Sequence, residues 1–166
     1  MPMMTTKHVV LAAVAAMAVT SFAGAQQRVA ASATESTAAA APSVTSTPVS
    51  GSVQENVDRI AAMVQAAGGT VFARIDHGAG AESVGLKLAP AVVLLFGNPK
   101  VGTPLMQRAP AMGLDLPSRV LVHEVDGATV LTYHRPEALA NAYGLPADHP
   151  SIVKLSGLLA KFSAKH

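Results

Sequence analysis

The chain of 166 residues contains no cysteine and no tryptophan. The first absence excludes disulfides, thiol nucleophiles, iron–sulfur clusters and cysteine-ligated zinc, so the fold must rest on packing alone. Aromatic side chains are scarce. Beyond residue 25 only Phe72, Phe96, Tyr133, Tyr143 and Phe162 occur, too few to build a stacking platform for bases or sugars. Charge of one sign is missing as well. From Ser52 onward ten Lys/Arg stand against nine Asp/Glu, with no basic run, so no electrostatic footprint for nucleic acid is present and no such partner is expected.

Long hydrophobic runs are also few. Val9–Val19 falls short of the roughly 20 apolar residues that a membrane-spanning helix needs. Lys7 and His8 precede it and Ser21-Phe22-Ala23-Gly24-Ala25 follows, which is the pattern of a cleavable export signal. Residues 1–25 are therefore expected to direct the chain to the periplasm or outside the cell, with no integral membrane segment after cleavage. A buried N-terminal helix is the plainer alternative. Residues 26–51 are Ala, Ser, Thr, Val and Pro with almost no charge, a composition expected of a flexible tether. Residues 52–166 then form one domain with a single hydrophobic core.

Within that domain, Ser52-Val53-Gln54-Glu55 reads as a capping box. Val53, Val57, Ile60 and Val64 follow on one helical face, and Gly68-Gly69 ends the helix. Thr70–Ile75 is a strand broken by Gly78-Ala79-Gly80, and Ala81–Leu86 a helical turn. Ala91–Phe96 is wholly apolar, as expected of a central strand covered on both faces. Thr103 is expected to cap a short helix over Pro104–Ala109. Asp126-Gly127 pairs Ser118–Val125 with Ala128–His134 as a hairpin, and helices are expected over Pro136–Tyr143 and Ser151–Ser163. This order gives an α+β fold with helices on one face of a mainly antiparallel sheet.

Candidate sites cluster at strand ends. Phe96-Gly97-Asn98-Pro99-Lys100-Val101-Gly102-Thr103-Pro104 has two glycines at the spacing of a phosphate-binding loop. It lacks the lysine just before the hydroxyl residue, and two prolines remove backbone donors, so the nucleotide reading is weak. A helix start can still receive a small anion or ligand carboxylate beside Asn98, Lys100 or Thr103. The alternative is a structural turn. Asp76-His77 can act as a base or as metal ligands if the chain turns between them; a turn-forming Asp and a satisfied His are the plain reading. His123 and His134 fall about 13 Å apart on one hairpin face, too far to share a metal ion. Asp115, between two leucines and before Pro117, is either a turn residue or a buried carboxylate. The Met106 and Met112 spacing suits core packing better than a soft-metal site. No serine stands in a nucleophile-elbow context.

Arg74-Ile75-Asp76-His77-Gly78-Ala79-Gly80-Ala81, then Gly97-Asn98-Pro99-Lys100 with Gly102-Thr103-Pro104-Leu105-Met106, and Leu114-Asp115-Leu116-Pro117 together resemble the domain of unknown function 302 family, over about Ser52 to Tyr143. The resemblance implies a β-α-β(4)-α order like that of TATA-binding-protein domains, here with an extra C-terminal helix, and a possible homodimer. It also implies a first strand near residues 44–49, in conflict with the tether. Many relatives carry cysteine where this chain holds Gly97 and Ser118, so a thiol or metal role there has no thiol to carry it here. The family implies no reaction. The expectation is an exported small-ligand or metal-binding module with Asp76, His77, Asn98, Lys100, Thr103, Asp115 and Ser118 at its site. A homodimeric interaction protein is the alternative, ahead of a hydrolase-type enzyme with an Asp/His base. No cofactor is assigned.

Overall fold

The computed structural model describes residues 43–164. The export signal expected over 1–25 and most of the tether expected over 26–51 lie outside them. The tether expectation fails at its end. Val44–Pro48 forms strand β1, pairing antiparallel with the hairpin's second strand from Val44 opposite His134 to Pro48 opposite Val130. Small size had masked a β-branched pattern in Val44, Thr45 and Thr47 that suits an edge strand, where Pro48 is also tolerated. The first strand implied by the family resemblance is therefore present.

Helix α1, Val53–Ala66, begins with the expected box. The Glu55 amide donates to Ser52 Oγ and the Ser52 amide donates to Glu55 Oε2. Strand β2, Thr70–Asp76, leads straight into helix α2, His77–Glu82. The Gly78-Ala79-Gly80 break expected from sequence is thus inside a helix, because Asp76 caps it by accepting from the Ala79 amide at 2.9 Å. Strand β3, Ala91–Gly97, is followed by helix α3, Pro99–Arg108. Here too the start differs from the expectation of Thr103 as the cap. Asn98 Oδ1 accepts the Lys100 amide at 2.9 Å and Pro99 takes the first helical position, so Thr103 and Pro104 fall inside the helix.

A 3₁₀ turn over Pro110–Leu114 follows, then strands β4, Ser118–Val125, and β5, Ala128–His134. Their turn has positive φ at both Asp126 and Gly127, the conformation that matches strand twist in a two-residue hairpin. His123 opposes Val130, as the spacing predicts. Helices α4, Pro136–Ala142, and α5, Pro150–Phe162, close the domain. The five strands form one open antiparallel sheet in the order β1-β5-β4-β3-β2.

Val57, Ile60 and Val64 of α1 and Leu155, Leu159 and Phe162 of α5 pack on the face that carries Val92, Leu94, Phe96, Val120, Val122 and Leu131. The residues between them on β3 and β4, including Val93, Leu95 and Leu121, stay only half-buried. The expectation that β3 is covered on both faces is therefore corrected: one face is core and the other is open. A smaller cluster of Leu105, Met112, Ala140, Leu145 and Ile152 packs α3 and α4 beside the start of α5.

The cap yields a direct prediction. Ser52→Ala should destabilise the domain by roughly 1 kcal/mol in denaturant unfolding. Hydrogen bonds from the Ser52 backbone and then its side chain hold the Glu55 carboxyl below its ordinary range. That contribution is present above the unfolded-state pKa and is lost as pH falls through the depressed folded-state value. The variant should therefore show a flatter loss of stability in acid than the parent.

Candidate functional site

The candidate residues divide between the two ends of the sheet. Thr70 pairs with Gly97 while Asp76 pairs with Val92, so Asn98 and Asp76 are separated by about 20 Å at the usual rise of a strand. The expectation that Asp76, Asn98 and Asp115 meet at one point is not met. At the far end, Asp76 caps α2 and borders a hollow that also includes Glu82 and Lys87. His77 is the first residue of α2 and is exposed. No hydrogen bond joins it to Asp76, whose capping oxygen is turned to the Ala79 amide. Among the described residues no three His, Asp or Glu side chains come together as a metal site.

At the near end a groove of about 500 Å³ opens where β3 and β4 meet the helices. Its base is Phe96 and Gly97 at the end of β3 with Pro117 and Ser118 at the start of β4. One wall is α3, through Val101, Gly102, Leu105 and Met106. The other is α5, through Val153, Lys154, Gly157, Leu158 and Lys161. Asn98 and Thr103 sit at the rim. Three of the seven sequence-derived candidates, Asn98, Thr103 and Ser118, thus line one site, while Lys100 is exposed beside it.

Asn98 is mainly a structural joint. Its Oδ1 caps α3 and its Nδ2 donates to Gly68 O at 2.7 Å, which ties the end of α1 to the loop. Phe72 enters the groove from an irregular point of β2, where the register slips between Val71 and Ala73. A bulge of this kind re-aims a side chain. Phe72 remains 58% exposed, and its ring lies over Gly97, where an added Cβ would stand 3.3 Å from Phe72 Cε2. Glycine at 97 leaves room for that ring.

Asp115 stands outside the groove lining and holds its base in place. One carboxylate oxygen accepts from Arg119 Nη2 at 2.7 Å, the other from the Tyr143 hydroxyl at 2.6 Å. The carboxylate is thus neither a free turn residue nor a deeply buried acid; it pins the segment Leu116–Ser118 to the end of α4. Sequence reasoning missed Phe72, Gly157, Lys154 and Lys161. The available signal was Gly157 within an otherwise regular amphipathic helix, flanked by lysines three residues before it and four after.

The model of the family described as "Domain of unknown function DUF302" matches residues 45–162. The chain belongs to the DUF302 family. The crystal structure of an uncharacterized conserved DUF302 protein from Bacillus stearothermophilus has the same fold, with a TM-score of 0.67 at 21% identity, covering 74% of this chain and 97% of that one. Among curated proteins, fluoride-specific ion channel FluC 1 of Brucella suis is 41% identical over 118 residues, which is 68% of this chain and 46% of that protein. FluC 1 of Brucella abortus is similar at the same identity, with 44% of its length covered. The chain therefore spans less than half the length of these relatives. No helix among the described residues is long and apolar enough to cross a membrane.

In this DUF302 domain the Asp115–Tyr143 contact is measurable. The hydrogen bond to Asp115 raises the Tyr143 phenol above its ordinary value of 10.0, with burial and the carboxylate's charge adding to the effect and Arg119 opposing it. Asp115→Asn should lower the Tyr143 titration seen by ultraviolet absorbance, while Tyr133, raised by its own burial and by Glu137, stays where it is. A folded-state phenol pKa above the unfolded one contributes stability below that range and loses it as pH rises through the folded value. The variant should therefore lose less stability than the parent above pH 10.

Proposed function

We propose that this domain is an exported small-ligand-binding module whose site is the groove between α3 and α5. The observation that carries this reading is Gly157. It lies inside α5, where glycine costs roughly 1 kcal/mol relative to alanine, yet an added Cβ would meet no atom within 4 Å. No close packing requires the missing side chain. The space beside this position of the α5 wall is open, and only a side chain larger than alanine would reach across it. The apolar lining and the volume also suit a small-molecule site. The sequence pattern of residues 1–25 supports export.

The channel relatives do not alter this reading. Their name describes proteins more than twice as long as the matched region, and a bare fluoride ion would leave an apolar groove unused. We assign the shared region a binding role beside whatever the rest of those proteins does.

Substitution at Gly157 separates binding from stability. Gly157→Ala should stabilise the domain by about 0.5–1 kcal/mol and preserve the groove. Gly157→Leu should fill it. The neutral dye Nile red should bind saturably to the parent and to Gly157→Ala, and at least about tenfold more weakly to Gly157→Leu. Equal binding by all three would remove the groove as the site.

A second reading, homodimer formation, rests on the open sheet face. Ile75 is 43% exposed and lies in a cross-strand row with Val93 and Leu121, and Leu95 lies one row along. An uncovered β-branched and leucine surface of this kind suits a second copy of the sheet. His123 Nε2 and Ser46 Oγ both hydrogen-bond Thr132 Oγ1 on the polar half of the same face, so the apolar half is the part left to pair. Light scattering should give a dimer for the parent and a monomer for Leu95→Glu. A monomeric parent across a wide concentration range would exclude this reading.

A further inference from the structure

We infer that the groove selects an apolar molecule bearing an anionic head, with a carboxylate as its simplest form. The inference rests on the groove reading above and adds the ligand's chemical class. Two observations carry it. The groove lining contains Lys154 and Lys161 and no acidic side chain. Among the described residues neither lysine takes part in an ion pair; the pairs of Arg74 with Asp58 and of Arg119 with Asp115 involve other side chains.

The placement follows from helix geometry. Lys154, Gly157, Leu158 and Lys161 recur at the spacing of one α5 face, and the lysines stand two turns apart, about 10 Å along the axis. Between them the wall has only a glycine and a leucine. An apolar body can lie against Leu158, Phe72 and Met106 while its head reaches an ammonium at the rim. Lysine suits this task because its apolar stem covers the wall while its charge stays in water. The Ser118 hydroxyl at the base of the groove supplies one neutral hydrogen-bonding group. A neutral apolar molecule would use the same wall but leave both ammonium groups without a counter-charge. A cation would be repelled by both.

Decanoate and decanol share an apolar chain and differ in the head, so they isolate the charge. In calorimetric titrations of the full chain at neutral pH, below the micellar range, decanoate should bind about three- to tenfold more tightly than decanol. Decyltrimethylammonium should bind more weakly than either. In Lys154→Gln/Lys161→Gln the preference for decanoate should fall to about one, with decanol affinity unchanged. Equal binding of decanoate and decanol by the parent overturns the anion assignment and leaves the groove reading intact. So does a preference that survives in the double variant. Binding of neither compound, or decanoate binding undiminished in Gly157→Leu, overturns the groove reading and the assignment together. Circular dichroism of each variant, with Gly157→Ala as the folded reference, separates lost binding from lost folding.

Discussion

The ring of Phe162, fully buried in the last turn of α5, meets Phe96 edge-on with centroids 5.7 Å apart. Such an edge-to-face pair adds to ordinary apolar burial, and it fixes α5 against the strand whose next two residues are Gly97 and Asn98. The backbone end of the same residue is held as well. Arg59 Nη2 donates to Phe162 O at 2.7 Å and to Asn56 Oδ1 at 2.8 Å. A cation there also complements the negative end of the α5 dipole. Asn56 is buried but fully engaged, since its amide donates to Ser50 O and Ser52 O. The start of α1 is thereby linked to the end of α5, and α5 forms a wall of the groove.

Seen from that constraint, the polar candidates and the groove have different tasks. Asp76, Asn98 and Asp115 hold backbone segments together: a cap on α2, a cap and a cross-link at α3, and a clamp on Leu116–Ser118. Strand ends attract such residues because helix starts leave amide groups unpaired. The groove itself is lined mainly by apolar and glycine residues.

The hairpin, α1 and α5 were legible in the sequence because each is specified locally: Asp126-Gly127 by its turn, Ser52 and Glu55 by their cap, and α5 by its apolar stripe. Two helix starts differ from the sequence expectation for one shared reason. Asp76 and Asn98 each capped a helix that began earlier than the glycines or Pro104 suggested, and a cap cannot be told from a turn residue until its amide partner is known. β1 was hidden because small β-branched residues on an edge strand make their pairing with distant β5, which no local pattern records. The open face of β3 was hidden for the opposite reason: a wholly apolar strand reads the same whether one face or two are covered. The groove was the least legible. Gly97, Gly157 and Phe72 come together only after the sheet and α5 are assembled.

The proposed meeting point of this domain and a small molecule is one groove, bounded by α5 and the Gly97–Ser118 strand ends. Nuclear magnetic resonance of the isotope-labelled chain titrated with decanoate tests it residue by residue. Saturable amide shifts should centre on Gly97, Gly102, Ser118, Gly157 and Leu158, with Asp76 to Glu82 unmoved. Shifts centred on Asp76 to Glu82, or spread over the open face of Val93, Leu95 and Leu121, would contradict it.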